Sequence, residues 1–120
     1  MNERDYKAKL RVQLKPHCYI QSMSSLGTNG TPDLWVSGPK GDLWIEVKYN
    51  DKTQCGIKPK LSPLQLKWLT DRHKEGRSVM VIIGTSPNEG IICIDRTWEE
   101  NCAMRLPLPQ IITTILGYIA

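Results

Sequence analysis

Nothing in this 120-residue chain approaches the roughly 18 consecutive apolar residues that a membrane-spanning helix needs. The opening Met1-Asn2-Glu3-Arg4-Asp5 also lacks the apolar stretch of a signal peptide, so secretion is not expected. There is no C-x-x-C pair among Cys18, Cys55, Cys93 and Cys102, and only two histidines, His17 and His73, are available to assist them. That poverty argues against a structural zinc site and leaves reduced cysteines in the cytoplasm as the expectation. Neither histidine has a serine, cysteine or carboxylate at a spacing that suggests general-base chemistry, and both read as surface or boundary residues. No internal repeat or linker interrupts the order, so residues 1–120 read as one domain with a single core.

What the chain does have is positive charge: sixteen Lys and Arg against twelve Asp and Glu, a net charge of +4 and a pI near 8.9. Lys7, Lys9, Arg11 and Lys15 crowd the N-terminal segment, and Lys48, Lys52, Lys58 and Lys60 follow one apolar run. Such clusters suit a polyanion, although charge alone equally describes a solvated surface.

Tyr6, Leu10 and Leu14 recur every four residues and predict an amphipathic helix over 2–14, ended by Pro16. Residues 17–23 alternate weakly, as a strand would, and 24–30 (SSLGTNG) have loop composition. PDLWVS (32–37) and DLWIEVKY (42–49) flank Gly38-Pro39-Lys40-Gly41, which predicts an antiparallel hairpin. A lysine-rich loop over 50–60 follows. Ser62-Pro63 then supplies a helix N-cap and a first-turn proline, Leu64, Leu66, Trp68 and Leu69 follow, and Gly76 marks the stop. SVMVIIG (78–84) is apolar enough for a strand covered on both faces, and GIICID (90–95) reads as another strand. The tail, IITTILGYIA (111–120), suits a packed helix or a partner surface. The sum is an α/β domain with about three to five strands and a helix crossing to an inner strand.

Parity makes the hairpin informative. Trp44, Glu46 and Lys48 point to one face of the strand, and Leu43, Ile45, Val47 and Tyr49 to the other. The turn sets Ser37 opposite Asp42, hence Trp35 opposite Trp44 and Asp33 opposite Glu46. Two carboxylates roughly 4.5 to 5.5 Å apart at Cβ repel each other, which a design for stability alone avoids. A divalent cation removes the difficulty, since hard ions such as Mg²⁺ take carboxylate oxygens and keep several waters. Such an ion can polarise a phosphoryl oxygen and activate a water. Lys48 is then placed to stabilise phosphate charge or to orient and deprotonate the attacking water, and the Val47 carbonyl is a further candidate ligand. The plainer alternative is a turn aspartate and an ordinary Glu46–Lys48 ion pair.

Gly30-Thr31-Pro32-Asp33 followed by Ile45-Glu46-Val47-Lys48 resembles the PD-(D/E)xK nuclease superfamily, most closely its VRR-NUC and archaeal Holliday-junction resolvase branches. Leu61-Ser62-Pro63-Leu64-Gln65 and the run from Arg77 to Ile83 extend the likeness to the VRR-NUC branch, so that it covers about residues 3 to 84. The E-x-K core is short and weakly specific alone; the ordered combination is stronger. The resemblance implies a restriction-endonuclease-like mixed central sheet flanked by helices and Mg²⁺-dependent phosphodiester hydrolysis, with Mn²⁺ as a substitute. It implies Asp33 and Glu46 as metal ligands, Lys48 as catalytic and Gln65 beside the active site. It also implies an acidic residue on the first helix, for which Glu3 is the candidate and Asp5, rotated off the apolar stripe, the weaker one. Lys60 is a candidate phosphate contact.

The expected function is a metal-dependent DNA endonuclease, with branched or structured DNA as the substrate class the resemblance favours. A sequence-preferring homing or restriction-type enzyme, a non-catalytic nucleic-acid-binding domain of the same fold and an interaction module using the apolar tail are the alternatives. A homodimer would let two sites cut opposing strands. The compact motif order would suit a phage-encoded enzyme acting in the host cytoplasm. Trp35 and Trp44 are expected to stack across the hairpin, beneath a helix or against exposed bases.

Overall fold

The computed structural model describes residues 1–23, 30–52, 57–100, 102 and 104–120. Much of the expected 24–30 loop and residues 53–56 of the lysine-rich loop, with Cys55, lie outside the described residues.

Helix α1 (Glu3–Leu14) starts where the Asn2 side chain accepts the Asp5 N–H, and it buries Tyr6, Leu10 and Leu14. Strand β1 (Tyr19–Ser22) pairs antiparallel with β2 (Leu34–Gly38), which turns at Pro39-Lys40 into β3 (Gly41–Tyr49). The hairpin register is the expected one as far as the pairing runs: Ser37 faces Asp42 and Trp35 faces Trp44, and the ladder ends at Leu34 and Ile45, just short of the expected Asp33–Glu46 pair. Helix α2 (Pro63–Lys74) then crosses to β4 (Val79–Ser86), which lies parallel to β3. Strands β5 (Glu89–Cys93) and β6 (Met104–Pro107) add antiparallel neighbours, giving the order β1-β2-β3-β4-β5-β6 among the described residues. Helix α3 (Leu108–Ile119) completes the chain.

Two apolar layers hold the sheet. On one face Tyr6, Leu10 and Leu14 of α1 and Ile111, Ile115 and Ile119 of α3 pack on Leu43, Ile45 and Val47 of β3. On the other, Leu69 of α2 meets Val79, Val81 and Ile83 of β4, with Trp44 and Trp68 at the margin. The alternation of β3 is thus resolved between helices, and β4 is buried from Val79 to Thr85, as its unbroken apolar run requires. The tail is a packed helix: its apolar stripe closes the core.

Several expectations change. A sixth strand, β6, was not anticipated because Met104-Arg105-Leu106-Pro107 has no buried alternation and carries the proline that an edge strand tolerates. Residues two apart on a helix point in widely different directions, so the leucines of α2 divide between core and surface. Leu69 is buried, while Leu64 is 53% and Leu66 37% exposed. The cysteines are not all reduced either. Cys93 and Cys102 form a disulfide, because the β5–β6 connection folds back and brings their Cα atoms to 5.6 Å. Cys18 is free. No helix among the described residues is long and apolar enough to cross a membrane.

Candidate active site

Pro32 has no N–H to continue the β2–β3 ladder, and the ladder stops at Leu34 opposite Ile45. Asp33 stands just beyond that last pair, at the mouth of the hairpin, and its carboxylate caps the edge of β3: Oδ2 accepts the Val47 N–H at 2.8 Å. The Asp33 backbone carbonyl accepts the Met23 N–H at 2.7 Å, which pins the approach to β2. Gly30, with φ of +78°, lies so close to the start of α2 that a Cβ there would overlap the Leu64 carbonyl. The glycine of the G-T-P-D motif thus seats the aspartate loop against the helix that bears Gln65.

Glu46 lies on the α2 face of β3, only 2% exposed. Its Oε2 accepts the Gln65 Nε2 at 3.1 Å and lies 3.5 Å from the Lys48 ammonium. Burial pushes its carboxyl up to about 8; the charge of Asp33 and a hydrogen bond to it add to the rise, while Lys48 opposes it. Lys48 Nζ donates to Gln65 Oε1 at 3.2 Å. That same oxygen accepts the Ser62 N–H at 2.9 Å, and the Gln65 N–H returns to Ser62 Oγ at 3.1 Å. One glutamine therefore closes the capping box of α2 and holds both Glu46 and Lys48. The helix start and the site share one side chain.

Asp33, Glu46, Lys48 and Gln65 form one connected group. Glu3 does not join it directly: it lines a cavity of about 450 Å³ together with Lys48, Asn50, Lys58 and Lys60. Asp5 is turned away toward Arg4, 3.9 Å distant. Among the described residues no three His, Cys, Asp or Glu side chains converge as a metal cluster. The groups there that could hold a cation are the Asp33 and Glu46 carboxylates and the Val47 carbonyl, which shares the strand edge of its amide. His17 is exposed, and His73 lies 3.8 Å from Asp95, among the residues around α2 and β5. Trp35 and Trp44 do stack, with centroids 6.0 Å apart, and Trp68 and Tyr19 extend the row.

The residue that sequence reasoning missed is Lys7, taken only as one of an N-terminal basic cluster. Its Nζ donates to Asp33 Oδ1 at 3.3 Å, with both side chains largely buried. A signal was available: Lys7 stands three and seven residues before Leu10 and Leu14, on the inward side of α1. Lys9 of the same cluster goes elsewhere, to the Pro87 carbonyl and Asn88 Oδ1.

No protein-family model matches the sequence, and neither does any curated protein. Solved structures do match in fold. The chain is similar to Hjc of Archaeoglobus fulgidus, a Holliday junction resolvase from an archaeal hyperthermophile, with a TM-score of 0.60 and 18% identity over 97% of this chain and 99% of that one. It is also similar to a VRR_NUC domain protein, with a TM-score of 0.58 and 18% identity over 99% and 88% of the two chains. The fold is therefore the one shared by these two proteins, an α/β mixed sheet flanked by helices.

Proposed function

We propose that the chain is a metal-dependent endonuclease that hydrolyses DNA phosphodiester bonds, with branched or structured DNA as its substrate. The observation that carries this reading is the buried Glu46 carboxyl set against Asp33 and flanked by Lys48 and Gln65. Burial of the Glu46 carboxyl beside a second one, Asp33, costs stability that packing does not require, and a hard divalent cation converts the cost into a binding site. The donor set fits Mg²⁺ or Mn²⁺, because two carboxylates and a carbonyl leave positions for waters. Asp33, Glu46 and the Val47 carbonyl would hold the ion, and Glu3, which lines the same cavity as Lys48, is the further acidic residue that would join it. When bound, such an ion supplies charge neutralisation at a phosphoryl oxygen and eases deprotonation of a water.

The chain's own residues do the rest. Gln65 fixes the Lys48 ammonium beside Glu46, so Lys48 meets developing phosphate charge without reorganising, or steers the attacking water. Lys58 and Lys60 line the adjoining cavity and give it a basic wall for the DNA backbone. The likeness to a Holliday junction resolvase across nearly the whole length of both chains supports branched DNA as the substrate class. A symmetric dimer would present two such sites to opposing strands; it would use a surface other than the α3 stripe, which the core consumes.

The test is cleavage of labelled duplex, flap and four-way-junction DNA in Mg²⁺, Mn²⁺ or EDTA. Cutting that requires the metal and favours branched DNA supports the reading. Binding without cutting in every metal would replace it with a DNA-binding domain.

A further inference from the structure

Asp33 is held from two sides. Val47 N–H engages Oδ2, and the Lys7 ammonium engages Oδ1, the oxygen that the backbone leaves open. Lys7 comes from α1, which packs on the face of the sheet opposite α2, so this contact joins the two layers at the site. The ion pair is largely withdrawn from water, with the Lys7 and Asp33 side chains 18% and 15% exposed. A surface lysine needs no such placement, and Lys9, two residues on, illustrates the ordinary alternative by bonding a loop carbonyl.

We propose that Lys7 is a positioning residue that serves as a built-in counter-cation for Asp33, orienting the carboxylate in the metal-free protein and competing with the divalent ion for it. The proposal rests on the nuclease reading, because it assumes that Asp33 binds a metal. Its physical content is simple. A divalent ion arriving at Asp33 meets a like charge within a few ångströms, and the flexible lysine must yield Oδ1 before the ion can take it. Lys7 thus lowers the affinity of the site for the ion and keeps a cation next to the place where a phosphate would bind.

The experiment measures Mn²⁺ affinity without DNA, by the loss of the free-ion paramagnetic resonance signal at pH 8. Wild type is compared with Lys7→Gln, Lys7→Met, Lys7→Arg, Lys9→Met and Glu46→Gln. Removing the charge should tighten Mn²⁺ binding on the order of tenfold, the remnant of a close like-charge repulsion after the lysine relaxes. Lys7→Arg and Lys9→Met should stay near wild type. If Lys7→Met fails to fold, Lys7→Gln, which keeps a hydrogen-bond donor for Asp33, carries the comparison. Equal or weaker binding by the folded neutral variant, with wild type still binding Mn²⁺ and Glu46→Gln not, overturns the role of Lys7 and leaves the nuclease reading standing. Wild type that binds no more Mn²⁺ than Glu46→Gln overturns both.

Discussion

Replacing Glu46 by glutamine keeps the shape of the side chain and removes its charge, and the structure says what should follow in the absence of metal. The Glu46 carboxyl rises from an ordinary 4.5 to about 8 because it is buried beside Asp33. The folded state therefore keeps a proton that the unfolded chain has lost between these two values. Folding stability contributed by this group falls as pH rises through that window, and the full penalty is present above pH 8. At about 1.4 kcal/mol per pH unit the shift bounds the penalty at roughly 5 kcal/mol. Lys48, 3.5 Å away, can relax toward the carboxylate, so about 2–3 kcal/mol is the expected gain. Urea denaturation in EDTA should show Glu46→Gln more stable than wild type by about that amount at pH 9, and nearly equal to it at pH 4. A glutamine variant that is less stable at pH 9, or a difference that does not change with pH, would refute the reasoning. The same substitution should abolish stabilisation by Mn²⁺, so one variant gains stability and loses its ligand.

Other outcomes follow from the same geometry. Gln65→Ala removes both the capping-box partner and the bridge to Glu46 and Lys48; cleavage should fall about 10- to 100-fold while stability drops by only about 1 kcal/mol, as separate activity and urea measurements would show. Equal cleavage by this variant would remove Gln65 from the site. Metal binding to wild type should release up to about one proton near pH 7, because Glu46 must ionise to take the ion; calorimetry in buffers of different ionisation enthalpy reads the number. Reduction of Cys93–Cys102, which closes a loop with a sequence separation of 9, should cost roughly 2–3 kcal/mol on the chain-entropy estimate, seen as a lower urea midpoint in dithiothreitol. Gly30→Ala, at φ of +78° and against the α2 backbone, should destabilise by about 1–3 kcal/mol in the same assay and reduce metal binding.

The hairpin was legible because its information is local. Gly38-Pro39-Lys40-Gly41 sets the turn, the turn sets the register, and strict alternation then assigns Glu46 and Lys48 to one face. The start of α2 was legible for a similar reason, since Ser62, Pro63 and Gln65 carry the cap within four residues. The double duty of Gln65 was not, because its bonds to Glu46 and Lys48 span 19 and 17 residues and have no local pattern. Lys7 was hidden in the same way, 26 residues from Asp33 and among other lysines that have surface tasks. The disulfide escaped notice because Cys93 and Cys102 lack any motif spacing and meet only through the β5–β6 fold-back. β6 is only 4 residues long, ends in proline and has no β-branched residue, too short a pattern to read as a strand. Contacts made by tertiary structure alone are where the sequence was silent.

The most direct test of the site is single-turnover cleavage of a labelled four-way junction in Mn²⁺ by wild type, Asp33→Asn and Lys48→Ala, each checked for folding. Cleavage by wild type that disappears in EDTA, falls about a thousandfold or more in both variants and leaves their folding intact is the predicted result. Cleavage by either variant at the wild-type rate would contradict the assignment of Asp33, Glu46 and Lys48 as the catalytic centre.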